Sequence, residues 1–280
     1  MVTPPVDAHG DEPEDPVLAV ERLSVAYGGD EVLDRLDLSV ERGERLGVLG
    51  EGATGKTTLA RALVDGVSAP ARVSGSVSYR PESGDPVPVF DLDDDEREWF
   101  RRESVALVTG DAGGFDAAST LRGQFRPALR ATGTDEARAE RLLSALGLDA
   151  ERVLDARPRE LNAAATQLAA LARAALADPA VLVVDDCPAA VAHLARGDRL
   201  DRFESAVRAD RDAGGADGDA PDAPTVVALG AELPALATLA DRLAVLHDGH
   251  VVEIGPTERV LDEPSHPHTR TLVEFYRGAT

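Results

Sequence analysis

RLGVLGEGATGKTTLARALV, residues 45–64, is the stretch that decides the fold. Arg45 to Leu49 (RLGVL) reads as a short apolar strand, and Thr57 to Val64 carries apolar residues at helical spacing. Between them Gly50, Glu51, Gly52, Ala53, Thr54, Gly55, Lys56 and Thr57 fill every required position of the pattern G-x-x-x-x-G-K-S/T, with Thr58 following. The spacing has a chemical cause. Glycines let main-chain amides turn inward and cradle phosphate oxygens where a Cβ would obstruct them. Lys56 sets a point charge against β- and γ-phosphates, and the Thr57 hydroxyl can ligate Mg²⁺. The helix that starts there adds the positive end of its dipole. The bland alternative is a glycine turn with a chance lysine, against which the flanking strand and helix weigh. Lys56 is also the only lysine of the chain, every other basic residue being arginine. A compact ammonium fits where a guanidinium fork does not.

Val181-Leu182-Val183-Val184-Asp185-Asp186 has the character of a matching strand. Its run is short and β-branched, which suits a central parallel strand buried on both faces. It delivers Asp185 to the strand's C-terminal end, where α/β sheets place their ligands and where a carboxylate can hold Mg²⁺, through water. Alone, it reads equally well as a buried strand ending in a solvated acidic turn. Paired with the glycine loop, the functional reading is favoured.

Composition bounds the rest. The chain has 280 residues, 43% of them hydrophobic, enough for one large α/β domain with a smaller subdomain or for two small domains. Aromatics are 4%, which disfavours a stacking platform for nucleic acid. The 51 acidic residues against 29 basic ones give a formal net charge of −22, a surface that repels nucleic acid and anionic lipid. An acidic, lysine-poor, alanine-rich chain suits a salt-rich cytoplasm, where repulsion is screened within roughly 3 Å at about 1 M. An acidic tail or a basic partner are alternatives, but the acid is spread along the whole chain. Cys187 is the only cysteine, so no intrachain disulfide forms, and it reads as a small buried filler. The N-terminal segment has neither a positive region nor an apolar run, and no stretch of about 18 apolar residues occurs. The expectation is a cytoplasmic chain without direct membrane insertion.

Along the chain, residues 1–15 read as a disordered acidic tail. Strands are expected at Val17 to Tyr27, Leu36 to Val40, Arg72 to Tyr79, Val105 to Val108, Thr225 to Leu229, Arg242 to Leu246 and Val251 to Ile254. Ala117 to Ala177 reads as several helices, Leu200 to Ala209 as another, and a terminal helix begins near Thr269. Arg211 to Pro224 is low in complexity and reads as a flexible loop. The order implies one twisted mixed sheet flanked by helices, with a helical insertion. The histidines (His9, His193, His247, His250, His266, His268) show no metal-ligand spacing, and Trp99 is expected to pack on the sheet.

On these motifs the chain resembles the ATP-binding subunits of ABC transporters over nearly its whole ordered length. Tyr27 stands where the family stacks an aromatic ring on adenine. Asp178-Pro179 before the Val181 strand, and Asp241-Arg242 followed by Asp248-Gly249-His250-Val251-Val252-Glu253-Ile254-Gly255, also match. Pro264-Ser265-His266-Pro267-His268-Thr269-Arg270-Thr271-Leu272 looks like the C-terminal signature of the oligopeptide, dipeptide and nickel importer branch. The resemblance implies an α/β P-loop fold of ABC type. It divides the chain into a nucleotide-binding domain over 16–265, with a helical subdomain near 115–177, and an importer-type extension over 266–280. It implies ATP and Mg²⁺ as cofactors, a second ABC ATPase as partner (a heterodimer favoured over a homodimer), and two membrane-spanning permease subunits that hold the chain on the inner membrane face. No nucleic-acid partner is expected.

Departures from the family pattern are as informative. The signature serine and its paired glycines align with Asn162, Ala163 and Ala164, where added Cβ groups should hinder close approach to nucleotide on the opposite subunit. Losing one such donor costs about 3 kcal/mol of transition-state stabilisation. The glutamine that senses the γ-phosphate aligns with Gly110, and Gln124 matches a different position. The catalytic glutamate aligns with Asp186, one methylene shorter; a displacement near 1 Å can cost about a hundredfold in rate. The switch histidine aligns with Ala231, and a later aspartate with Ala192. Asp186 is therefore the only, and weak, candidate to position the attacking water. Two readings of different class follow: a transport ATPase with slow hydrolysis, or a regulatory subunit that binds ATP and never hydrolyses it. A soluble ABC-type ATPase of DNA repair or translation is a third, which the C-terminal motif and the acidic surface oppose.

Overall fold

The computed structural model describes residues 15–111, 114–209 and 224–278. Almost all of the expected tail and of the loop at 211–224 lies outside the described residues. In chain order the elements are β1 (Leu18–Tyr27), β2 (Asp30–Val40), β3 (Arg45–Leu49), α1 (Lys56–Ala62), β4 (Ala71–Tyr79), β5 (Val87–Pro88), α2 (Asp94–Trp99) and β6 (Val105–Thr109). Four helices follow: α3 (Leu121–Thr132), α4 (Glu136–Ala145), α5 (Ala150–Asp155) and α6 (Ala163–Ala175). The rest is β7 (Val181–Asp185), α7 (Pro188–Leu194), α8 (Arg199–Arg208), β8 (Thr225–Gly230), α9 (Leu233–Leu239), β9 (Arg242–His247), β10 (His250–Pro256), α10 (Thr257–Asp262) and α11 (Pro267–Gly278).

The one mixed sheet expected from sequence is two. A four-stranded antiparallel sheet has the order β2-β1-β4-β5, and a six-stranded sheet has the order β10-β9-β3-β8-β7-β6. In the second, β9, β3, β8, β7 and β6 run parallel and β10 is an antiparallel edge. Backbone pairing decides which strands share a sheet, and the alternation of side chains decides which core each face joins. On β7, Val181 and Val183 join the core under the antiparallel sheet, whereas Leu182 and Val184 join the core under the helices. Such period-two division buries both faces, each Val or Leu contributing roughly 1.5–3 kcal/mol. β2 starts six residues before the expected Leu36; of those six residues only Leu33 is buried, which weakens the apolar signal.

Trp99 does not pack on the sheet; it is 47% exposed. A wide π turn over Phe100–Ser104 follows α2 and brings Phe100 inward instead, 1% exposed and edge-on to Tyr79 at 5.6 Å. Cys187 is buried, and burial pushes its thiol up to about 12, so it is a packing residue rather than a nucleophile. Among the described residues no helix is long and apolar enough to cross a membrane.

Parallel pairing brings the C-terminal ends of β9, β3, β8, β7 and β6 to one edge. His247, Gly50, Gly230, Asp185 and Gly110 therefore lie along that edge in strand order.

Candidate functional site

β3 runs straight into the glycine loop, and the Gly50 amide donates to the Gly230 carbonyl of β8 at 3.1 Å. The loop closes at Gly55, whose φ of 102° lies in the region that favours glycine. A Cβ there would meet Leu33 Cδ2 at 2.7 Å and the Val32 carbonyl at 2.9 Å, so the position has no room for a side chain. Ala53 also holds a positive φ, 63°. The Lys56 ammonium lies back over the loop, donating to the carbonyls of Gly50 (2.7 Å) and Glu51 (2.6 Å). The Thr54 hydroxyl donates to the same Glu51 carbonyl at 3.0 Å. Burial pulls the Lys56 pKa below the ordinary lysine value, while the carboxylates of Asp186, Asp185 and Glu51 oppose that shift. The ammonium thus sits in a partly dry, acid-lined place, where an anionic ligand gains from it more than it would in water.

Asp185 ends β7, two strands from the glycine loop, and is 3% exposed. Burial raises its pKa; a hydrogen bond from Thr57 lowers it, and Asp186 raises it further. Its Oδ1 is buried with no hydrogen-bond partner among the described residues. A carboxylate in contact with a hydroxyl, keeping one oxygen uncommitted, is the donor set a hard divalent cation takes. The residues present therefore fit Mg²⁺, which Thr57 and Asp185 would hold. Asp186 follows at φ 50°, exposed, its amide donating to the Leu229 carbonyl at 3.0 Å.

Several of the positions that depart from the family resemblance are committed to local structure. The Gly110 amide donates to the Asp185 carbonyl at 3.0 Å, and a Cβ at Gly110 would overlap the Asp186 carbonyl oxygen. With this backbone no side chain, glutamine included, fits there. Gln124 is spent on its own loop: its amide nitrogen donates to Asp116 (2.9 Å) and Ser119 (3.0 Å), and its oxygen accepts from the Asp116 amide. Asn162 is the N-cap of α6, its side-chain oxygen accepting from the Ala165 amide at 2.8 Å. Ala163 and Ala164 are exposed at that helix start. Ala192 lies within α7. Ala231 is exposed after β8, and its carbonyl accepts from the Tyr276 hydroxyl of α11.

The fold thus brings together Gly50 to Thr57, Asp185 and Asp186. It leaves Tyr27, half-buried at the end of β1, and Asn162 to Ala164 without a hydrogen bond or ring contact to the glycine loop. Thr58 lies in α1 behind Thr57. Tyr276, which the sequence does not single out, and His268, which it places only in the C-terminal segment, reach this edge. No local pattern announces them, because the contacts join segments far apart in the chain.

The comparisons with known proteins agree with the fold. The family model described as ABC transporter matches residues 33–189. The dipeptide transport ATP-binding protein DppD of Haemophilus influenzae is 26% identical over 277 residues, covering 94% of this chain and 79% of that protein. The nickel import ATP-binding protein NikE of Escherichia coli is 33% identical over 160 residues, 55% of this chain and 56% of that one. The methionine import ATP-binding protein MetN 2 of Paraburkholderia xenovorans is 31% identical over 245 residues, and the match spans 57% of its length. The match thus spans little more than half the length of the nickel and methionine relatives. Among solved structures, the post-hydrolysis dimer of the ATP-binding cassette MJ0796 bound to ADP and Pi has the same fold, with TM-score 0.66 at 19% identity over 86% of this chain and 98% of that one. With the matched model spanning more than half its length, this chain belongs to the ABC transporter family and is an ATP-binding domain of that family.

Proposed function

We propose that this chain is the ATP-binding subunit of an importer, taking peptides or nickel as cargo, and that it binds Mg-ATP on Gly50 to Thr57. The observation that carries the nucleotide reading is the buried Asp185 carboxylate, bonded to Thr57 and leaving Oδ1 without a partner, on the same edge as the Lys56 ammonium. Mg²⁺ supplies charge neutralisation at the phosphates when bound. The chain's own residues do the rest: loop amides and Lys56 hold phosphate, Thr57 and Asp185 hold the metal, Tyr27 meets the base, and Asp186 orders water. The importer branch is supported by the C-terminal segment from Pro264 to Leu272 and by the likeness to dipeptide and nickel import proteins.

In this reading residues 16–265 are the nucleotide-binding domain, with 115–177 as its helical subdomain and 266–280 as an importer-type extension. The chain pairs with a second, better-preserved ABC ATPase on two membrane-spanning permease subunits, at the inner face of the membrane. Both composite sites are weakened, because this chain gives Asp186 to one and Asn162, Ala163 and Ala164 to the other. Turnover by the isolated protein should fall well below roughly 1 per second, a rate ordinary for enzymes. A homodimer turning over faster than that would refute the weakened-site reading.

A second reading, a subunit that binds ATP and never hydrolyses it, is favoured by Gly110, where the backbone leaves no room for a sensing side chain. If the Asp186→Glu, Ala231→His variant, assembled with its partner, gains no turnover, the non-hydrolysing reading stands. The net charge of −22 supports a salt-rich setting, in which the melting temperature should rise between about 0.1 M and 1 M salt as self-repulsion is screened. A flat or falling curve would argue against it.

A further inference from the structure

Three neighbouring strands end side by side at the phosphate edge: β9 at His247, β3 at Leu49 and β8 at Gly230. α11 lies against the two outer ends. Near its start the His268 ring stacks on His247, with ring centroids 3.6 Å apart, and its Nε2 stands 3.9 Å from the Glu51 carboxylate of the glycine loop. Burial, and then His247, hold the His268 pKa below the ordinary histidine value, so at neutral pH this contact is packing rather than an ion pair. Near the other end of α11, the Tyr276 hydroxyl donates to the Ala231 carbonyl and accepts from the Leu233 amide. Between them Leu272 and Val273 are buried in the core. Eight residues of helix rise about 12 Å. Two strand spacings measure about 10 Å, so the helix spans from β9 across β3 to β8.

The turn that Tyr276 holds is wired into the site. On one side of β8 the Gly50 amide donates to Gly230, and on the other the Asp186 amide donates to Leu229. Alanine at 231 has no side chain with which to fix this turn, and Glu232, the N-cap of α9, makes no side-chain cap. The phenol supplies two hydrogen bonds from outside.

We infer that α11 is a strap belonging to the nucleotide site, with Tyr276 as the residue that positions the 230–233 turn and, through Gly230 and Gly50, the entrance of the glycine loop. Strap docking and nucleotide binding then stabilise each other, as linkage requires. This rests on the nucleotide reading proposed above. Tyr276→Phe in the full chain keeps the ring and removes only the hydroxyl. It should weaken Mg-ATP binding about five-fold, on the order of one of the two hydrogen bonds that the hydroxyl makes. Mg-ATP should slow hydrogen exchange at 231–233 and in 267–278 of the native chain, and should do so much less in the variant. A purely structural tyrosine would lower the melting temperature and leave affinity and protection as they were, which overturns the inference. Should Tyr276→Phe fail to fold, absence of nucleotide-induced protection of 267–278 in the native chain overturns it equally. A native chain that takes up no Mg-ATP at all overturns the nucleotide reading first, a separate result, and the strap falls with it.

Discussion

At the end of β3 the chain carries every residue of the phosphate-loop pattern, whereas at the ends of β6 and β8 and at the start of α6 it departs from the side chains that the family resemblance implies. The first region is shaped for a ligand. Gly55 has no room for a Cβ, Lys56 is half-dry, and Asp185 retains a buried acceptor with no partner. The second is shaped for itself. Gly110 fits against Asp186, Asn162 caps its own helix, and the turn at Ala231 is held by Tyr276. On the proposed reading, holding a nucleotide and hydrolysing it rest on separate residues, and Gly110, Asn162 and the turn at Ala231 each make local structural contacts.

The contrast breaks most visibly at Gly110. Gly110→Gln, which puts there the glutamine that the resemblance implies, should cost about 2–3 kcal/mol, because the new Cβ collides with main chain rather than with a movable side chain. For a domain of this size that lowers the melting temperature by about 5–10 °C, readable by calorimetry. A variant as stable as the native chain would mean that the β6–β7 edge yields easily, and the second region is then less committed than described.

Asp185→Asn should act in the opposite direction on stability. Burial raises the native Asp185 pKa above the ordinary value, so the folded chain holds this proton more tightly than the unfolded chain does. Stability of the ligand-free protein therefore falls as pH rises from about 4 through the native value, and at neutral pH the buried charge is a cost. The asparagine variant should gain about 1–2 kcal/mol, lose that pH dependence in urea titrations, and lose Mg²⁺-dependent nucleotide binding. Loss of stability instead would mark Asp185 as a structural residue.

The smallest effect is expected at Asn162. Asn162→Ala removes a helix cap and should cost about 1 kcal/mol, while Asn162→Ser should be neutral within a few tenths. An alanine variant as stable as native would leave the departure from serine without a structural reason.

The nucleotide-holding region was legible in sequence because it is local: strand, loop and first helical turn are contiguous, and β7 announces itself by four apolar residues before Asp185. What escaped was set by packing between distant segments. The β7 residues are all buried and alternate between two cores, which period-two reasoning allows but which a run of apolar residues hides. Trp99 was expected inside; the π turn after α2 gives that place to Phe100. At Gly110 the sequence shows a missing glutamine, and only the opposing Asp186 carbonyl shows that a side chain has no space. The short helices α2, α7, α9 and α10, of six or seven residues, carry too few turns for a helical period to register.

The most direct test is equilibrium titration of the protein with Mg-ATP at high ionic strength, its partner subunits present, beside the Lys56→Ala variant. Saturable uptake that the variant loses by about a hundredfold or more is the result expected of a phosphate site built on the chain's only lysine. No uptake, or uptake that Lys56→Ala leaves intact, would contradict it.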